Sequence, residues 1–114
     1  MNNRKTKEDV RAILTKIGIS SYYFGYHYLV SAICLAIEDP KYRTRITNKL
    51  YPEVGKAYNI KANAVKEGIH RAIEMWDKNN EYALTFSQNI QKETPKQFIV
   101  VLTDYFINHR YYLN

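Results

Sequence analysis

Asn63, Lys66, Glu67 and His70 recur at offsets of three and four residues, so on a helix they share one face. Their end groups suit the edges of base pairs. An Asn amide pairs with adenine, a Lys ammonium with guanine O6 and N7, and a Glu carboxylate accepts from cytosine N4. The chemistry open to this row is recognition rather than bond-making. Around it in sequence stand Arg43, Arg45, Lys49, Lys61 and Arg71, cations suited to phosphates, which fix register without specifying sequence. Between Lys41 and Arg71 the bases are Lys41, Arg43, Arg45, Lys49, Lys56, Lys61, Lys66 and Arg71, and the acids only Glu53 and Glu67; the whole net charge of +6 lies there. A segment so concentrated is the electrostatic footprint of a polyanion partner. On charge alone, a solvated basic face with no partner is an equal explanation.

Other chemistries find no support. His27, His70 and His109 are scattered, Cys34 is the only cysteine, and neither a Cys-x-x-Cys nor a helical His pair exists. No glycine-rich phosphate loop, nucleophile elbow or kinase signature is present. No catalytic residue, metal, cofactor or small-molecule substrate is therefore expected, and the chain does not read as an enzyme. Cys34 lies in the apolar run Val30–Ile37 and is expected to be a small buried hydrophobe. The polar start from Met1 to Asp9 does not read as a signal peptide, and no apolar stretch approaches the roughly 20 residues a membrane span needs. A soluble, intracellular protein is expected. Of 11 tyrosines, Tyr22, Tyr23, Tyr26 and Tyr28 cluster, and Tyr105, Tyr111 and Tyr112 end the chain. Most are expected to fill the core and its rim. Stacking on single-stranded bases, or a dimer contact through Tyr105, Phe106, Tyr111 and Tyr112, are the alternatives.

The elements that must position these groups read as all-α, about six helices in one compact domain over residues 1–114. Val10, Ile13, Leu14 and Ile17 give a first helix from Thr6 to Ile17, closed by Gly18. A second helix runs from about Tyr28 to Glu38, apolar nearly all round and therefore central, and Asp39-Pro40 breaks it. A third spans about Thr44 to Tyr58, with Pro52 marking a kink or a restart at Tyr51. After the turn Asn59-Ile60-Lys61, a fourth begins at Ala62 or Asn63 and reaches about Asp77. A short fifth is expected over 81–91. Thr94-Pro95 opens a last helix to about Asn108, with Phe98, Val101, Leu102, Tyr105 and Phe106 as its apolar stripe.

The window Tyr51–Gly68 has the layout of a helix-turn-helix. Gly55 is small where the partner comes close, and Asn59 tolerates positive φ at the turn. Val54, Tyr58, Ile60 and Val65 are expected to pin the helices, with Asn63 as cap. An ordinary αα-hairpin has a similar outline. In the second helix Val65, Ile69, Ala72, Ile73 and Trp76 are expected inward, and Asn63, Lys66, Glu67, His70 and Glu74 outward, with Arg71 at the edge.

Longer stretches carry a likeness. The runs Ile46-Thr47-Asn48-Lys49-Leu50-Tyr51-Pro52-Glu53-Val54-Gly55-Lys56-Ala57-Tyr58 and Val65-Lys66-Glu67-Gly68-Ile69-His70-Arg71-Ala72-Ile73-Glu74, with Gly25-Tyr26-His27-Tyr28-Leu29 and Thr94-Pro95-Lys96-Gln97-Phe98-Ile99, resemble the C-terminal effector domain of the sporulation regulator Spo0A. The resemblance covers roughly residues 8–108. It implies a six-helix, helix-turn-helix transcription regulator of spore-forming bacteria, cytoplasmic and nucleoid-associated, whose partner is double-stranded DNA. No receiver domain is read in this chain, so phosphorylation-driven dimerisation in cis is not expected. Lys66-Glu67 stand where the family has Glu-Arg, and His70-Arg71 where it has Arg-His, while the inward positions are kept. The same fold is thus implied, but not the same target sequence. Two copies on DNA, as a homodimer or on tandem sites, are expected. The alternative is a protein-interaction module, a decoy that pairs with or competes against a full-length regulator of the family.

Overall fold

The computed structural model describes residues 3–79 and 95–109, and among these every regular element is helical. Helix α1 (Asn3–Ile17) ends as Gly18 turns left-handed at φ 101°. There Ile19 N–H reaches the Leu14 carbonyl at 2.9 Å and Gly18 N–H the Thr15 carbonyl at 3.0 Å. Leu14 and Ile19 are both buried, the apolar contact that accompanies such a closure.

Helix α2 (Phe24–Glu38) begins four residues before the expected Tyr28. Tyr23, in the cap position, makes no side-chain cap bond, so no local signal marks the start. Burial of Gly25, Tyr26, Leu29, Val30 and Ile33 fixes it instead. The central position expected of this helix is found: α2 touches every other described element.

The third expected helix is broken. Helix α3 (Lys41–Thr44) stops at Arg45, whose φ and ψ of −130° and 54° are not helical. A π-helical turn, Ile46–Leu50, follows and leads into α4 (Tyr51–Tyr58). Of the two outcomes foreseen for Pro52, the restart at Tyr51 is the one observed. Pro52 has no N–H to give the Asn48 carbonyl, and its ring crowds that oxygen. The chain widens just upstream: Leu50 N–H reaches back five residues to Arg45 at 3.1 Å, and Tyr51 N–H to Ile46.

Helix α5 (Ala62–Asn79) and α6 (Pro95–His109) complete the fold. The expected helix over 81–91, the Thr94 cap, Tyr111 and Tyr112 lie outside the described residues. In α6 the apolar stripe is rotated from the expected one. Phe98, Ile99, Leu102 and Phe106 are buried, whereas Val101 and Tyr105 stand about 40% exposed, at 37% and 41%. The helix is apolar over so much of its circumference that periodicity alone does not set its phase; packing against α2 and α5 does. Trp76 ties the ends together. Its indole N–H donates to the Ile17 carbonyl at 2.8 Å, and its ring meets Phe98 edge-on at 5.5 Å.

Tyr51 is buried to 1% exposure, and its hydroxyl has no hydrogen-bond partner among the described residues. Burial pushes that hydroxyl's pKa up to about 12. Tyr51→Phe removes only this oxygen, so it is expected to leave thermal stability unchanged or raise it by about 1 kcal/mol. A clear fall in Tm in calorimetry would show that the hydroxyl is satisfied in solution.

Candidate nucleic-acid interface

The face of α5 that carries the candidate residues is set by the turn before it. Asn59 is left-handed, at φ 56° and ψ 46°. Ile60 N–H bonds the Gly55 carbonyl at 2.9 Å and Asn59 N–H the Lys56 carbonyl at 3.4 Å, the same closure that ends α1. A Cβ on Gly55 would lie 2.5 Å from the Ile60 carbonyl oxygen, so the expected small residue is needed, against the turn itself. Asn59→Gly is expected to hold or raise stability and Asn59→Ala to lower it by about 1 kcal/mol, the cost of a Cβ in this region. Equal denaturation midpoints for the two variants would contradict this account.

Val54 and Val65 are buried and Ile60 is half-buried between the helices, as expected. Tyr58 is not part of that contact. It turns toward α2, where its hydroxyl donates to the His27 carbonyl at 3.3 Å, lies 3.3 Å from Ser31 Oγ, and its ring meets Tyr28 edge-on. Asn63 does not cap: α5 starts at Ala62, and the Lys61 carbonyl receives the N–H groups of Ala64 and Val65.

A contact the sequence reading missed seats α5 on α2. Gly25 lies against Gly68. A Cβ on Gly25 would overlap the Gly68 carbonyl oxygen and come 2.8 Å from Ala72 Cβ; one on Gly68 would come 2.7 Å from the Tyr28 ring. The available signal was the small pair Gly68 and Ala72, one turn apart on α5.

With α5 seated, its faces divide as expected. Val65, Ile69, Ala72 and Trp76 are buried and Ile73 half-buried, while Asn63, Lys66, Glu67, His70, Arg71 and Glu74 are exposed. Lys66, Glu67, His70, Arg71 and Glu74 line one shallow depression of about 450 Å³. Two of the candidate readers are Asn63 and Glu67, and they bind each other, Asn63 Nδ2 donating to Glu67 Oε1 at 3.3 Å. His70 Nε2 lies 3.5 Å from Glu74 Oε2. Lys66 and Arg71 make no ion pair among the described residues.

Of the candidate phosphate contacts, Arg45, Lys49 and Lys61 are exposed. Arg43 is half-buried, and its guanidinium is already engaged. Nε donates to the Ala36 carbonyl at 2.8 Å and an Nη to that of Ile37 at 3.3 Å, neutralising the C-terminal end of α2. A second groove, of about 590 Å³, runs between the segment holding Arg43 and Arg45 and the start of α6.

Cys34 is half-buried against the core, less enclosed than expected. Burial, reinforced by the Glu38 carboxylate, pushes its thiol up to about 11 from 9.0, although Lys7 and Arg11 pull the other way. At pH 8 only on the order of one thiol in a thousand is thiolate. Alkylation of the native protein is expected to be slow at pH 8 and to accelerate toward pH 11. Because the raised value favours the neutral thiol in the fold, this group's share of stability holds below pH 9 and declines as pH rises toward 11. Rapid labelling at pH 8 without unfolding would overturn this.

Among the described residues, no three His, Cys, Asp or Glu side chains form a metal-binding cluster. No described helix is long and apolar enough to cross a membrane. A family model described as sporulation initiation factor Spo0A C terminal matches residues 10–106, which takes in both helices around the turn and the whole outward face of α5.

Proposed function

The chain belongs to the Spo0A C-terminal family, DNA-binding effector domains of transcription regulation and not an enzyme family, and from that premise we propose that it binds specific double-stranded DNA sites through a helix-turn-helix. In this reading α4 and α5 are the two helices, and α5 enters the major groove with its N-terminal half foremost. Lys66 reads guanine and Glu67, steadied by Asn63, accepts from cytosine N4. His70 stands one turn further along. Arg45, Lys49, Lys61 and Arg71 hold phosphates, and Arg43 fixes the loop that carries Arg45. The observation that supports this best is the division of α5: a buried face pinned to α2, and an opposite face of hydrogen-bonding groups on which Lys66 and Arg71 have no ion pair among the described residues.

One domain of this size gives modest affinity, so two copies on adjacent half-sites are part of the proposal. The test is fluorescence anisotropy at two salt concentrations. It compares a duplex enriched by selection on this protein with a scrambled duplex of equal length. The enriched duplex is expected to bind at least about 10³-fold more tightly. Equal, weak binding that salt abolishes in parallel would reject sequence-specific reading and favour a module that acts on a related regulator.

A further inference from the structure

We propose that the groove between the segment 43–48 and the start of α6 is a second phosphate seat, holding the DNA backbone beyond the base pairs that α5 reads. The inference rests on the DNA-binding reading and adds α6 to the contact surface. Three cations, Arg43, Arg45 and Lys96, line the groove, and among the described residues no carboxylate does. Arg45 and Lys96 are exposed and make no ion pair among the described residues. Arg43 is held in place by the two α2 carbonyls, so its charge is fixed at the groove wall before any ligand arrives. A charge already held in place costs less to order on binding.

The uncharged lining also fits a nucleic-acid backbone. Thr47 and Asn48 bring a hydroxyl and an amide, both donors to phosphate oxygens. Val100 and Val101 supply apolar surface of the kind that packs against deoxyribose carbons between phosphates. The groove's location agrees. It borders the π-helical turn that feeds α4, and in a helix-turn-helix the first helix is the one that crosses the backbone. Lys96 is remote from the basic segment 41–71 in sequence, and only the fold brings it beside Arg45.

The test compares the protein with Lys96→Ala and Lys96→Glu on both the selected and the scrambled duplex across a salt series. Lys96 is exposed, so both variants should fold, and circular dichroism checks this. Lys96→Ala is expected to reduce the slope of log affinity against log salt by about 0.9, the value of one phosphate contact, equally on both duplexes. Lys96→Glu should weaken both further. An uncharged methylphosphonate at the flanking phosphate should cost the parent protein affinity and cost Lys96→Ala nothing more. If both variants keep the parent's affinity and slope, the groove proposal is overturned, and the groove passes to a different anionic partner such as an acidic protein segment. Loss of discrimination between the duplexes by the parent protein is a separate result. It would sink the base-reading assignment, while the slopes on the scrambled duplex still decide the groove.

Discussion

Gly25→Ala is expected to lower the melting temperature by more than about 10 °C. The added Cβ overlaps the backbone carbonyl oxygen of Gly68, and a backbone atom cannot swing aside as the end of a side chain can. Either α5 lifts from α2 or α2 shifts within a core that it touches on every side. Overpacking of this kind costs about 1–3 kcal/mol where neighbours are compliant, and the upper end or beyond applies where they are backbone. The sign is diagnostic, because alanine is otherwise better than glycine inside a helix by about 1 kcal/mol. Calorimetry of Gly25→Ala decides it: a Tm equal to the parent's, or higher, would mean that the two helices do not approach as described. Gly68→Ala is expected to be milder, since its Cβ meets the Tyr28 ring, which is half-buried and can rotate. A partly folded Gly25→Ala should also lose DNA affinity on all sequences alike, because the same contact seats α5.

Lys66→Ala is expected to do the reverse, leaving Tm within about 1 °C and removing discrimination at one base pair by roughly 10- to 100-fold, or about 1–3 kcal/mol. Lys66 is exposed and has no ion pair among the described residues, so its loss costs the fold little. Its neighbours on the face are less free. Glu67 is bound to Asn63 and His70 lies 3.5 Å from the Glu74 carboxylate, and each must keep or exchange that neighbour to reach a base. His70→Ala should therefore change selectivity less than Lys66→Ala. Arg71→Ala should weaken binding to every sequence and flatten the salt dependence by about one phosphate. Binding-site selection on Lys66→Ala is the measurement; a preference unchanged at every position would remove Lys66 from the set of base readers.

The sequence by itself determined the elements whose reasons are local. Gly18 and Asn59 end helices because the left-handed turn needs a residue that tolerates positive φ, and such residues are visible at their positions. Pro52 announced a restart because the missing N–H is a property of the residue. Val65, Ile69, Ala72 and Trp76 recur at the helical period, so the inward face of α5, and with it the outward row from Asn63 to Glu74, could be read without coordinates. The tertiary structure decided whatever depends on what a helix packs against. The phase of α6 left Val101 and Tyr105 outside, because a helix apolar on most sides has no single preferred face until neighbours choose one. Arg43 reads from the sequence as a phosphate contact, and only the approach of α3 to the end of α2 commits its guanidinium to two carbonyls. Gly25 stands in the sequence only as one residue of the run Gly25–Leu29, yet it marks the place where two helices come close enough to exclude a methyl group. Sequence periodicity reports which side of a helix avoids water; the distance and the partner on that side are set by two surfaces at once, and neither surface alone contains them.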